Sequence, residues 1–290
     1  METAHTLNIA NGATVAYKRW RSLGGATHPP LVLIHGAASN MTRWSEFVEN
    51  TTLKATRDIL RVDLRGHGQS RYRGRMNLEV WADDLAAILR QENISQAIVG
   101  GHCLGANVSV VFAARHPART AGLVLVEPML RPALTGALRK LVPFAPLFKT
   151  ATAALHLGYR VGLHRREIET IDLRELDREF RQRLAQPGGG AALVKRYASP
   201  LHDLKIMPTA NFLINLMEVT RPLPLASLAS PFLALLSTGR TFSDPHITQT
   251  LLASLKHGTL VTLDAKHWIP TEQPEAMRTA IEAWCNNLVQ

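Results

Sequence analysis

A chain of 290 residues with 46% hydrophobic and 19% charged side chains is long enough for one large α/β domain or two small ones, and apolar enough to fill its core. Its two cysteines lie far apart, which excludes a disulfide framework and suits a reducing compartment, and no run of about 20 apolar residues is present to form a membrane-spanning helix. The net charge of +10 invites a nucleic-acid reading, but no nucleic-acid motif accompanies it and no such partner is expected.

Residues 1–10 are mixed polar and carry no signal-peptide pattern, so a soluble, cytoplasmic protein is expected. Segments 5–9 and 14–20 flank Asn11-Gly12, a dipeptide suited to a tight turn, and predict an antiparallel hairpin. Buried strands are predicted at 31–35, 58–63, 97–100, 123–126, 232–237 and 259–263. Helical periodicity occupies 78–91, 104–115, 246–255 and 274–288. The alternation predicts an α/β fold, a doubly wound, mostly parallel eight-stranded sheet.

Residues 132–225 break the alternation. They hold helical patterns at 134–141, 150–161 and 173–184, the interruption Pro187-Gly188-Gly189-Gly190, and Pro208, Pro222 and Pro224. The expectation is a core formed by residues 1–130 and 226–290 with a helical cap, 131–225, inserted over the C-terminal ends of the strands. Between Arg131 and Arg221 stand 15 Lys or Arg against 8 Asp or Glu. That surplus reads as a solvated basic surface or as a lure for an anionic substrate.

The segment Ala97-Ile-Val-Gly-Gly-His-Cys-Leu-Gly-Ala106 joins a buried strand to a helix through a glycine-flanked turn. A nucleophile needs that geometry: the sharp turn exposes its side chain, glycines two residues away on either side remove clashes, and the helix N-terminus points partial positive charge at it. Cys103 is therefore the candidate nucleophile. Cys285, inside a C-terminal helical pattern beside Trp284, reads as packing. A nucleophile needs a base and the base an orienting acid. His267, just past the last strand, is the candidate base, whereas His35 and His67 read as loop braces and His102 as turned away from the nucleophile. Asp244, in the loop after strand 232–237, is the candidate acid, although Ser243-Asp244-Pro245 is equally a helix start with Asp as cap. Glu127, in Leu-Val-Glu-Pro-Met, is the fallback acid. The histidines show no metal-ligand spacing and no phosphate loop occurs, so no metal or cofactor is expected.

His35-Gly36 after the third strand, Asp63-Leu-Arg-Gly-His-Gly-Gln-Ser70 after the fourth, the Cys103 elbow, and His267-Trp268 followed by Glu272-Gln-Pro-Glu275 occur in an order that resembles the α/β-hydrolase superfamily, as a capped member with Cys in place of the usual Ser. The resemblance implies that the backbone N–H groups of Ala37 and Leu104 form an oxyanion hole, and that residues 63–70 form a structural loop beside the entrance, with Arg65 a brace. The Cys is shared with dienelactone hydrolases and polyester synthases of the superfamily, but the dienelactone enzymes lack a cap. The loop from Gly239 to Asp244 also exceeds the family's usual Gly-x-x-Asp spacing.

The expected activity is cleavage of an ester, thioester or lactone through a thioacyl intermediate on Cys103. A thiolate attacks well but also leaves well, which favours acyl groups with good leaving groups over amides. The expected partner is a small acyl substrate, apolar and with a negative handle. Acyl transfer to another acceptor, as in polyester synthases, a cofactor-free lyase or oxygenase reaction, and non-catalytic binding are the alternatives.

Overall fold

The computed structural model describes residues 2–9, 12–164, 168–184 and 189–288. Eight strands form one sheet: β1 (Glu2–Ile9), β2 (Ala13–Trp20), β3 (Leu31–Ile34), β4 (Ile59–Val62), β5 (Ala97–His102), β6 (Thr120–Val126), β7 (Phe232–Ser237) and β8 (Gly258–Leu263). Their order is β1-β2-β4-β3-β5-β6-β7-β8. β1 pairs antiparallel with β2, and β2 with β4, while every later pairing is parallel. Gly12 turns the first hairpin at φ 73°. Asn11, its predicted companion, lies outside the described residues, as do Pro187 and Gly188 of the proline-glycine run.

Side-chain alternation gives each face of the sheet its own core. Val32, Ile34, Val99, Leu123 and Leu125 face the helices Leu78–Gln91 and Leu104–Arg115, whereas Leu31, Leu33, Ile98, Val124 and Val126 meet Trp44, Phe47, Met277 and Ile281 on the other side. Helix Leu78–Gln91 begins where Asn77 accepts from the Val80 N–H at 2.8 Å, and it buries Leu78, Trp81, Leu85 and Leu89, a stripe at helical spacing. β8 departs from the expectation of a buried strand. It is the sheet edge, paired along one side only, and half of its residues are exposed.

The C-terminal helix Pro274–Asn287 is anchored through Arg57, whose guanidinium donates to the Cys285 carbonyl at 3.0 Å. Cys285 itself is fully buried, and burial pushes its thiol up to about 12.

Between β6 and β7 the described residues contain no strand. They form helices Gly136–Leu141, Ala145–Arg160, Leu173–Leu184, Gly189–Tyr197, Pro200–Ile206 and Thr209–Val219. No helix among the described residues is long and apolar enough to cross a membrane. The chain leaves β3 towards β4 on one side, and β5 leads to β6 on the other, so the connections diverge between β3 and β5. In open α/β sheets that divergence opens a crevice at the carboxyl ends of the strands, and there the loop after β3 meets the turn after β5.

Candidate active site

The turn after β5 holds Cys103 at φ 54°, ψ −114°, a conformation a non-glycine residue adopts only when its surroundings force it. The forcing is visible. The Cys103 N–H donates to the Val126 carbonyl at 2.9 Å, and its own carbonyl accepts from Ala106 and Asn107 as the helix Leu104–Arg115 starts at once. So tight a reversal leaves no room for side chains on either flank. A Cβ on Gly101 would stand 2.4 Å from the Gly105 carbonyl carbon, and one on Gly105 only 2.5 Å from the His35 and Ile34 carbonyl oxygens. The loop after β3 lies against this turn: a Cβ on Gly36 would come within 3.3 Å of the Cys103 Cβ.

His267 follows β8 and is fully buried against the elbow. Its Nδ1 lies 3.0 Å from Glu127 Oε2, which leaves Nε2 for the Cys103 thiol. Burial alone would lower the pKa of this imidazole. The Cys103 sulfur and the Glu127 carboxylate lying against it reverse the shift and raise it to about 10. Phe242, Trp268 and His102 surround the ring with centroids 4.9, 5.4 and 5.0 Å away. Glu127 stands at the end of β6 with φ 52°, its backbone N–H bound to the Leu235 carbonyl at 2.9 Å and its Oε1 accepting from the Ser237 N–H at 2.5 Å. Both carboxylate oxygens are thereby fixed.

Asp244 does not reach His267. Its Oδ1 accepts from the His246 and Ile247 N–H groups at 3.0 and 3.4 Å, which caps the helix Pro245–Ala253, and its Oδ2 pairs with Arg240. Arg240 and the helix start together hold the carboxyl below its ordinary range. Capping, the competing reading of Ser243-Asp244-Pro245, is what the geometry displays, and the carboxylate beside His267 is that of Glu127. Ala37 lines the same cavity as Cys103 and His267. Leu104 is the first residue of the helix after the elbow. Among the described residues neither the Ala37 nor the Leu104 N–H meets an acceptor in the protein.

Three supporting residues were not expected from the motifs. His102 stays at the site rather than turning away: its Nε2 donates to the His267 carbonyl at 3.0 Å, and burial drives its pKa well below 6.5, so the ring is neutral. Glu272 accepts from the N–H groups of Lys266, His267 and Trp268 between 2.9 and 3.2 Å. His267 is thus held at its N–H, its carbonyl and its ring. Phe242 packs edge-on against that ring at 86°. Only Glu272 left a signal, as part of His267-Trp268…Glu272. His35 and His67 brace loops as expected: His35 Nε2 accepts from the Leu64 N–H at 3.1 Å, and His67 Nε2 meets Asn215 Oδ1 at 2.9 Å. Arg65 lies 2.5 Å from Asp84, both buried.

The site opens into a cavity of about 350 Å³. Its far wall comes from the helices between β6 and β7, with Leu138, Leu141, Leu173, Leu176 and Phe212 among the lining residues. Arg43, on the turn after β3, is buried in this wall 2.5 Å from Asp177, which also accepts from Tyr197 and from Thr271 Oγ1 at 3.0 Å. Among the described residues no group of three or more His, Cys, Asp or Glu is arranged to hold a metal ion.

A family model described as the alpha/beta hydrolase fold matches residues 29–274. Curated relatives match over shorter stretches. The dihydrolipoyllysine-residue acetyltransferase component of the acetoin cleaving system of Pseudomonas putida is 35% identical over 109 residues, 37% of this chain and 29% of that protein. A putative esterase/lipase of Haemophilus influenzae is 30% identical over 99 residues, 34% of each chain. The chain spans between 29% and 46% of the length of the curated relatives it matches. Among solved structures, a thermophilic esterase from Thermogutta terrifontis superposes with a TM-score of 0.68 at 22% identity over 100% of both chains. The enol-lactonase from Burkholderia xenovorans LB400 does so at 0.69 and 18% identity, over 97% of this chain and 100% of that one. At those identities the likeness is one of fold.

Proposed function

Because the chain belongs to the α/β-hydrolase fold family, we propose that it is a hydrolase of esters, thioesters or lactones that works through a thioacyl intermediate on Cys103. The observation that carries this reading is the convergence of the strained Cys103 and the Glu127–His267 pair on one cavity. His267 takes the thiol proton, and the sulfur attacks the substrate carbonyl carbon. The N–H groups of Ala37 and Leu104 receive the oxyanion, donors whose individual loss typically costs about 10²-fold or more in rate. The tetrahedral adduct collapses as the bond to the leaving oxygen or sulfur breaks, and that atom takes the proton from His267. Water then gives a proton to His267 and its hydroxyl to the acyl carbon, and the returning proton restores the thiol.

Glu127 is the acid of this triad. It holds Nδ1 and favours the imidazolium that forms at each proton transfer. The apolar cavity receives the acyl group, and residues 131–225 serve as the cap over it. The two thiols suit a reducing, cytoplasmic setting. The names carried by the esterase/lipase relative and the two solved structures agree with ester and lactone chemistry.

Mass spectrometry of the intact chain, after incubation with a panel of short acyl thioesters and lactones and rapid acid quenching, tests the reading. An acyl mass on Cys103 that is absent from Cys103→Ala is the expected result. If no substrate leaves that mass, even in His267→Ala, where deacylation lacks its base, the covalent route is wrong.

A further inference from the structure

The helical segment after β6 carries an apolar face that the described residues leave uncovered. Five of the eight exposed large hydrophobic side chains among the described residues, Phe144, Leu147, Leu157, Val161 and Leu163, fall on the helix Ala145–Arg160 and its two ends, and they are 52% to 74% exposed. Leu147, Ala154, Leu157 and Val161 follow one another at helical spacing and are all exposed, so they share a face. The opposite face is fixed. Thr152 is buried, and the Tyr159 hydroxyl accepts from the Ala210 N–H at 3.2 Å, which ties this helix to the helix Thr209–Val219. That second helix lines the catalytic cavity with Phe212, Leu216 and Val219. The exposed face is therefore the outer skin of the cavity wall.

Charge on this skin has one sign. From Arg131 to Leu163 the sequence holds five Lys or Arg and no Asp or Glu. Arg131, Arg139, Lys140, Lys149 and Arg160 are all exposed, and among the described residues none of them pairs with a carboxylate. Arg139 and Lys140 stand on the helix Gly136–Leu141, whose Leu138 and Leu141 line the cavity.

We propose that this face docks on an anionic lipid bilayer, with the helix Ala145–Arg160 lying flat, its apolar side chains among the acyl chains and the cations at the lipid phosphates. Amphipathic helices with Lys and Arg beside an apolar face bind interfaces in this way, and each cation gains from a negative surface. At 16 residues the helix is too short to cross the ~30 Å hydrocarbon layer. Two other occupants fit less well. A second copy of the chain would set five unpaired cations against five more, and nucleic acid would answer the cations but leave the leucines uncovered. Once docked, the chain holds its cavity one helix layer from lipid.

The test is co-sedimentation of the full chain with vesicles of phosphatidylcholine alone and of phosphatidylcholine mixed with phosphatidylglycerol. A partition coefficient at least about tenfold higher on the anionic vesicles is expected, weakening as salt rises. Leu147→Ser/Leu157→Ser, at two exposed positions, is expected to lower the anionic partition at least about tenfold with the Tm unchanged. Arg139→Gln/Lys140→Gln/Lys149→Gln is expected to erase the anionic preference, whereas the charge-matched Arg21→Gln/Arg90→Gln/Lys256→Gln, outside this segment, keeps it. Equal partition on the two vesicles, no partition on either, or indifference to the serine pair overturns the proposal. So does a dimer, or a complex with duplex DNA, that these variants dissolve while vesicles stay unbound. Docking needs no thiol. Cys103→Ala is expected to partition like the wild type, so a failure of the acyl-hydrolase reading leaves this result standing, and a failure to dock leaves that reading untouched.

Discussion

Glu127 reaches His267 from the end of β6, two strands away from β8: Oε2 lies 3.0 Å from Nδ1, across 140 residues of sequence. The other carboxylate within the family's usual loop, Asp244, is held by a helix start and Arg240. The two acids should therefore separate by function. Glu127→Gln keeps the shape but loses the charge and the preference for one imidazole tautomer, and turnover is expected to drop by about 10² to 10⁴-fold. Asp244→Ala is expected to leave turnover within about threefold while lowering the Tm through loss of the cap. Steady-state rates and thermal melts on both variants check this, and a larger kinetic loss for Asp244→Ala would return the acid to the loop after β7.

Stability should bend at both ends of the pH scale for different histidines. His267, held up near 10 by Cys103 and Glu127, binds a proton more tightly folded than unfolded. Its contribution is fully present below about 6.5 and is lost as pH climbs through about 10. His35, His67 and His102 are driven down by burial, so they favour the fold above about 6.5 and penalise it as pH falls. Urea midpoints across pH 5 to 10 are expected to peak between these limbs. The alkaline fall should shrink in His267→Gln, and an unchanged alkaline slope there would assign that limb to other groups.

The elbow admits no methyl group. With a Cβ on Gly105 only 2.5 Å from two backbone oxygens, neither partner being a flexible side chain, Gly105→Ala is expected to cost about 1–3 kcal/mol or more. It should also displace Cys103 enough to abolish acylation. Gly136→Ala makes a control in the opposite sense: nothing lies within 4 Å of its Cβ, but φ is 55°, so its penalty comes from backbone conformation alone and acylation of Cys103 persists. Chemical denaturation read beside acyl-adduct mass distinguishes the two.

Arg43 and Asp177 tie the helical segment to the core at a place with almost no solvent. Removing one partner leaves a buried charge unanswered, so Asp177→Asn is expected to destabilise the chain by about 3–5 kcal/mol, whereas Arg43→Met/Asp177→Leu is expected to recover most of that loss. Equilibrium urea curves for the single and double variants form the required cycle.

The sheet was legible because its signal is local. The central strands are short apolar runs, and the alternation of Leu31, Val32, Leu33 and Ile34 between two cores needs no knowledge of partners. Cys103 was legible for a similar reason, since the glycines that the turn requires sit two residues to either side. The acid was not. Asp244 carries two compatible signals, helix cap and site loop, and only the distance between strand ends decides between them. Glu127 ranks in the sequence only as the fallback acid, because nothing local tells that β6 lies between β5 and β7. The place of His102 is not legible, because how a ring turns at a strained corner depends on a distant partner: its Nε2 finds the carbonyl of a residue 165 positions away. The short helix Pro200–Ile206 escaped notice because seven residues hold too little periodicity to register.

The chain has only two thiols, and the packing around Arg57 and the C-terminal helix seals one of them completely. With Cys285 closed off and Cys103 facing a cavity, a thiol-reactive dye added to the native protein should consume one equivalent per chain and a second only on unfolding. The fold thereby supplies its own active-site titrant: the first equivalent counts competent molecules, and the slow arrival of the second clocks global opening without any engineered label.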